Sequence, residues 1–330
     1  MLNISLANAK RHQHLTIYPL VALESPDLPF ALMVDALNVG SLRISEVGSG
    51  VVGELLAYNS GTLPILILDG EQLIGAKQNR TTNRSMLLPA GRETVIPVSC
   101  MEQGRWHDAS RPFMPGKQCS PSKVRRRARE VEAIHADSSD GPPLEVLRMA
   151  QVGVWSTIQE QFSKTNTQSP TGALDQLYES RDLDLANWAP QFPTVDHQVG
   201  LLAFVGGRPI GLDVIGCRRL YGRLHDRLLK GYIMDALTTR PGKGEADPLT
   251  AQSYLDSVTV ARRIPSRTIG LGSYSVVSGD IIGGELTHER SIAHLSAFPA
   301  IQTESSGPVA DGITSAPIQP PSRRRRGRTD

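Results

Sequence analysis

The chain has 330 residues with 39% hydrophobic, 21% charged and 5% aromatic content, which excludes a disordered or fibrous class and leaves room for two compact units. Thirty-five Lys and Arg stand against 33 Asp and Glu, a formal charge of +2, so the chain as a whole is no polyanion binder and any such contact needs a local cluster. Three cysteines, Cys100, Cys119 and Cys217, are too few and too scattered for a disulfide framework or a zinc box, and are expected as free thiols.

The N-terminal residues lack the apolar run of a signal peptide, and no later stretch approaches the ~18 apolar residues of a membrane span, so a cytoplasmic protein is expected. From Leu15 to Cys100, short runs rich in Val, Ile and Leu are separated by Gly, Pro, Asn and Asp. That pattern predicts a sandwich-like or barrel-like β unit over residues 1–119. Asp69-Gly70, between PILIL and EQLI, predicts a type I′ hairpin turn, and Pro89 to Gly91 the next turn.

Residues 107–123 read as a Pro-containing connector. Ser120 and Pro121 suit the start of a helix through VRRRAREVEAIHA. Leu144, Leu147, Ala150, Val154, Ile158 and Phe162 recur at steps of three or four and predict a helix from Pro143 to Lys164, with Trp155 and Gln151 on or beside its apolar stripe. Thr171 is placed as the cap of a short helix through Tyr178.

VGLLAFVGGRPIGLDVIG predicts a hairpin turning at Gly206-Gly207, and Leu220, Leu224 and Leu228 mark a following helix. Further strands are expected between Thr268 and Leu286 and between Ser291 and Phe298. The predicted fold class is α+β: a β-sandwich-like unit, 1–119, then a mixed α/β-containing unit, 120–302. The tail 303–330 is rich in Ser, Gly, Pro and Arg and is expected to be disordered.

Candidate function concentrates between Asp69 and Trp106, where a long polar series interrupts apolar strands. Lys77, Gln78, Asn79, Arg80 and Arg105 supply cationic and amide donors suited to phosphate, carboxylate or base edges, and Trp106 supplies a stacking face. Glu71 and Glu102 are the candidate acid–base pair, provided that the fold brings them together. The plain alternative is a solvated hairpin face with internally paired charges. Cys100, with Glu102, Arg105 and His107 following, is either a nucleophile beside cations or a small buried hydrophobe.

Asp213 is a strand-borne acid, either functional or salt-bridged. GLGSYS from Gly270 opens no evident helix and is a poor phosphate loop. The cations Arg125, Arg126, Arg127 and Arg129, and Arg323 to Arg326 in the tail, would meet nucleic acid or an acidic partner or, as plain charge, solvent; no aromatic residues interleave them for base stacking. No metal ligand set or cofactor motif is recognisable.

DGEQLIGAKQNR followed by PVSCMEQGRW resembles the bacterial ARG and Rhodanese-Phosphatase-superfamily-associated proteins, where ARG stands for ADP-ribosylglycohydrolase. The resemblance continues through VGLLAFVGGRPIGLD to AHLSAF and stops before the basic tail. It implies a link to NAD or ADP-ribose metabolism through neighbouring genes and assigns no reaction. On that footing the chain is expected to process or sense NAD-derived or ADP-ribosyl compounds. Lys77, Arg80 and Arg105 would then hold phosphate, Gln78 and Asn79 would orient the ligand, and Glu71 or Glu102 would handle protons or a metal. The alternative is a non-catalytic protein that docks an ADP-ribose-processing partner.

Overall fold

The Val-, Ile- and Leu-rich runs do form strands: the described residues carry eighteen strands and seven α-helices in an α+β fold. The structure, a computed structural model, describes residues 3–106, 113–137, 144–240, 242 and 244–300, with the backbone alone for 144–149. His107 and the tail 303–330, with Arg323 to Arg326, lie outside the described residues. Three sheets make up the β structure, and their pairing is antiparallel apart from Ala31–Leu32 beside Ile65–Ile67.

The largest sheet has nine strands in the order Ser5–Leu6, Leu15–Val21, Gln198–Val205, Arg208–Val214, Ser291–Pro299, Ile281–His288, Ser273–Ser278 and Arg262–Ser266, with Lys10–His12 paired to Leu15–Val21. A six-stranded sheet runs Met114–Cys119, Glu71–Ile74, Arg80–Thr82, Arg92–Cys100, Glu54–Asn59, Leu42–Val51. The third sheet is Met86–Leu88, Ile65–Ile67 and Ala31–Leu32.

The inward residues of the two smaller sheets, Ile44, Leu55, Ala57 and Ile96 from one and Ile65, Ile67 and Met86 from the other, share a core with Met33 and Leu37 of the helix Met33–Asn38. Two faces closing on one apolar layer give the sandwich-like arrangement. Residues 1–300 form one compact unit, because the largest sheet draws strands from both sides of residue 120.

The helix Arg218–Leu237 follows the hairpin Gln198–Val205/Arg208–Val214, whose turn sits at Gly206 and Gly207 as expected, both at positive φ. Leu220, Leu224 and Leu228 are fully buried, each contributing roughly 1.5–3 kcal/mol by leaving water. The helix Leu144–Thr165 keeps the expected stripe at Val154, Ile158 and Phe162.

Several local expectations are corrected. Asp69-Gly70 makes no hairpin: Ile65–Ile67 pairs in the three-stranded sheet and Glu71–Ile74 in the six-stranded one, so the turn is a crossover between sheets. Only its glycine takes positive φ, +81°, where a β-carbon would run into the Arg125 side chain. Met114–Cys119, expected within a connector, is a strand on Glu71–Ile74. Thr171 caps nothing; the short helix is Leu174–Glu179, preceded by Ala173 without a side-chain cap.

Ser122–Ile134 is a helix, as Ser120 and Pro121 foretold, but its arginines are not all on a solvated face. Arg125 and Arg129, one turn apart, point inward and are buried. The first turn of this helix has no local cap and takes one from elsewhere: the buried Asp235 carboxylate accepts from Ser122 N–H at 2.6 Å and Lys123 N–H at 3.4 Å.

Candidate functional site

The polar series from Gly75 to Arg105 folds upon itself. Gly75 and Ala76 take positive φ between the strands Glu71–Ile74 and Arg80–Thr82, and the Asn79 side chain closes this turn by accepting from Gly75 N–H at 2.9 Å. Arg80 pairs in register with Cys100, which carries Glu102 and Arg105 back across the turn. Arg105 then forks onto Glu102, Nε to Oε1 at 2.9 Å and Nη2 to Oε2 at 2.6 Å, and also donates to Ala76 O and Asn79 Oδ1. Asn79 N–H reaches Glu102 Oε2 at 3.1 Å and Gln78 Nε2 reaches Glu102 O at 2.9 Å. Lys77 to Arg80, Glu102, Arg105 and Trp106 therefore converge.

Within that frame the groups are unequally committed. Burial pushes the Glu102 carboxyl up, but the hydrogen bonds from Arg105 and Asn79 outweigh it and hold it below the ordinary range, so it is a carboxylate at neutral pH. Asp175, which no local motif marks, accepts from Asn79 Nδ2 at 3.0 Å; burial and the neighbouring Glu179 raise its pKa. Gln78 Oε1 accepts from Arg80 Nη1 at 2.9 Å and from the Cys100 thiol at 2.8 Å. Burial pushes that thiol up to about 11, so Cys100 is a protonated core residue rather than an activated nucleophile. Gln151 closes the strand end, its amide accepting from Cys100 N–H and donating to Cys100 O.

Arg80 is one of several buried side chains with polar atoms left unpartnered. It is completely buried, yet among the described residues its Nε and Nη2 have no hydrogen-bond partner, and Glu46 Oε1 stands 3.8 Å from Nη2 with both Glu46 oxygens likewise without a hydrogen bond. Above them Trp106 is 47% exposed, with Lys77 Nζ 5.4 Å and Arg80 Cζ 5.7 Å from its ring centre. Lys77 also donates to Ser49 O. A polar groove of about 420 Å³, lined by Gln159, Ser163, Asn166, Ser169 and Gly172 among others, ends next to Thr171, whose carbonyl accepts from Gly104 N–H.

Glu71 is held elsewhere. Its carboxylate accepts from Leu68 N–H at 2.9 Å and Arg227 Nη2 at 3.3 Å, and shares no hydrogen-bond partner with Glu102 among the described residues. Burial raises its pKa against the opposing pull of Arg227.

Beside Glu71 lies a second constellation, buried throughout. Arg125 bridges two aspartates, with Nη2 2.8 Å from Asp69 Oδ1 and 2.6 Å from Asp213 Oδ1, and Nη1 2.9 Å from Asp213 Oδ2. Tyr232 and His294 Nε2 also reach Asp213, at 2.7 and 3.0 Å, and Ser296 donates to Asp69 at 3.1 Å. Ser85 Oγ lies 2.5 Å from His294 Nδ1, so Ser85, His294 and Asp213 follow one another in the order of a nucleophilic triad.

All three are at most 5% exposed, and Ser85 Oγ additionally accepts from Asp69 N–H, so the relay faces the interior. Asp69, Asp213 and His294 place ligand atoms within 4.8 Å of one another, a donor set that suits a cation. The Arg125 guanidinium already provides that positive charge. Asp69 thus belongs to a junction between the crossover, the largest sheet and the helix Ser122–Ile134. The i, i+4 spacing of two arginines was the available signal for it.

A family model described as ARG and Rhodanese-Phosphatase-superfamily-associated Protein domain matches residues 3–298. The chain belongs to this family. The ARG and Rhodanese-Phosphatase-superfamily-associated domain spans both constellations and all three sheets. No curated protein and no solved structure gives a match.

Proposed function

We propose that the protein binds NAD-derived or ADP-ribosyl compounds at the Trp106 corner and acts as their sensor. The observation that carries this reading is the half-exposed Trp106 ring beside Lys77 and Arg80, standing on the bonded Arg105–Glu102–Asn79 frame. A rigid frame beneath an accessible aromatic and cationic surface is what a planar base with polar attachments requires. The family name links the chain to ADP-ribosylglycohydrolase and rhodanese-phosphatase enzymes and supplies the ligand class. A cytoplasmic setting, where such nucleotides are abundant, belongs to the same reading; no helix of the described residues is long and apolar enough to cross a membrane.

Sensing is preferred to processing because Glu102 is locked in its pair with Arg105 while Glu71 faces Arg227, which separates the two candidate acid–base groups. Isothermal calorimetry of the full chain with ADP-ribose and with NAD tests the proposal. Binding that weakens at least tenfold in Trp106→Ala supports it; absence of heat with both ligands, with and without divalent metal, overturns it. In the second reading the same corner docks an ADP-ribose-processing protein, favoured by those committed carboxylates. Co-purification from cell extract of such an enzyme, lost in Trp106→Ala, distinguishes it.

A further inference from the structure

We propose that the polar groove beside Thr171 is a sugar subsite, taking the terminal ribose of an ADP-ribosyl ligand whose adenine stacks on Trp106. This rests on the functional reading above and divides its ligand between two neighbouring surfaces.

The groove offers both space and a definite chemistry. Its volume is about 420 Å³, and none of its lining residues is ionisable. Among the described residues the side-chain amides of Gln159, Asn166 and Gln168 make no hydrogen bond, and all three residues are exposed along the groove. Each amide supplies two donor hydrogens and a carbonyl acceptor. The Ser163 hydroxyl, whose proton goes to Gln159 O, adds a further acceptor. A phosphate, which only accepts, would find no cation among these residues and would meet amide oxygens as well. A vicinal diol both donates and accepts, and so matches the amides on both counts. Gly172 keeps the wall open at φ +65°, where a β-carbon would stand 2.7 Å from Gln159 Nε2. Base stacking needs an open aromatic face instead: Phe162 in the groove is 5% exposed, whereas Trp106 is 47% exposed.

A short path joins the two surfaces. Trp106 lies two residues from Gly104, Gly104 N–H donates to Thr171 O at 2.9 Å, and Thr171 adjoins Gly172 in the groove wall. A β-carbon on Gly104 would lie 3.0 Å from Thr171 Cα. At about 3.8 Å per residue step the whole path is at most about 16 Å. The inner ribose and diphosphate bridge such a distance over Gln103 and Gly104, both exposed, with Lys77 beside the Trp106 ring as a cation for the diphosphate. Three further bonds fix the spacing: Leu174 N–H to Met101 O at 3.0 Å, the Thr171 hydroxyl to Glu102, and Asn79 Nδ2 to Asp175 Oδ1. A ligand held at both ends requires that rigidity.

Calorimetry of the full chain with ADP and with ADP-ribose, which differ by the terminal ribose, tests the assignment. ADP-ribose is expected to bind at least tenfold more tightly. Ser163→Phe, which places a ring in the groove from an exposed helix position, should bring that ratio below about threefold, and Gln159→Ala should reduce it at least threefold. Melting temperatures check that both variants keep the fold. A wild-type ratio below tenfold, or a ratio that Ser163→Phe and Gln159→Ala leave at the wild-type value, refutes the subsite while binding of ADP keeps the sensor reading. If neither nucleotide binds, the sensor reading falls and takes the subsite with it.

Discussion

Replacing Arg125 by Met removes the guanidinium that hydrogen-bonds to both Asp69 and Asp213 while keeping most of the aliphatic volume. Three hydrogen bonds of 2.6 to 2.9 Å are lost. Asp213 retains Tyr232 and His294, and Asp69 retains Ser296, with Arg129 Nε 3.6 Å away. Breaking a buried pair by deleting one partner costs about 3–5 kcal/mol, because the remaining charge stays desolvated. Against a total stability of roughly 5–15 kcal/mol this is a large fraction.

Urea unfolding measures it as a lowered midpoint at an unchanged slope. The pH dependence gives an independent check. Burial pushes the Asp213 carboxyl up, but Arg125 and His294 outweigh it and hold it below the ordinary range. Its folded pKa thus lies below its unfolded one, so its contribution is complete above the unfolded value of about 4 and is lost as pH falls through the folded value. In Arg125→Met that loss should begin at higher pH. A variant that folds normally, costs under about 1 kcal/mol and keeps the wild-type acid profile would refute the reasoning.

Asp235→Ala removes the carboxylate that caps the helix Ser122–Ile134 from outside and should cost about 1–2 kcal/mol in urea unfolding; an unchanged midpoint would show that the cap contributes nothing. Cys100 and Cys119, buried and pushed up to about 11 and about 12, should not react with a thiol reagent at pH 7.5 in the native protein and should both react in guanidinium. Rapid native labelling of either would contradict their placement in the core.

Where a property was carried by neighbours in the chain, it was legible. The stripe Val154, Ile158, Phe162, the Gly206-Gly207 turn and the start of the helix at Ser122 each follow from spacing or turn chemistry within a few residues. The convergence of Lys77 to Arg80 with Glu102, Arg105 and Trp106 was partly legible, since a tight turn and one strand pairing suffice to bring those residues together. Asp69 was misread because an Asp-Gly dipeptide looks the same whether its flanking strands pair or part company into two sheets. Arg125 and Arg129 were misread as available charge because their partners, Asp69 in the crossover turn and Asp213 on a strand, lie far away in sequence. Glu46 and Asp175 lay outside the polar series altogether, and nothing local marks a carboxylate that tertiary structure will bury beside it.

The order of the largest sheet bears on how the chain must be made. Leu15–Val21 lies inside that sheet, yet its long neighbour is Gln198–Val205. A nascent chain therefore emerges with an apolar strand whose main partner is synthesised well over a hundred residues later, and it carries an open edge for that interval. A fragment ending near residue 119 would keep that edge permanently, so it should self-associate rather than fold as a separate β unit. Supplying 198–214 in trans would be the rational way to rescue it.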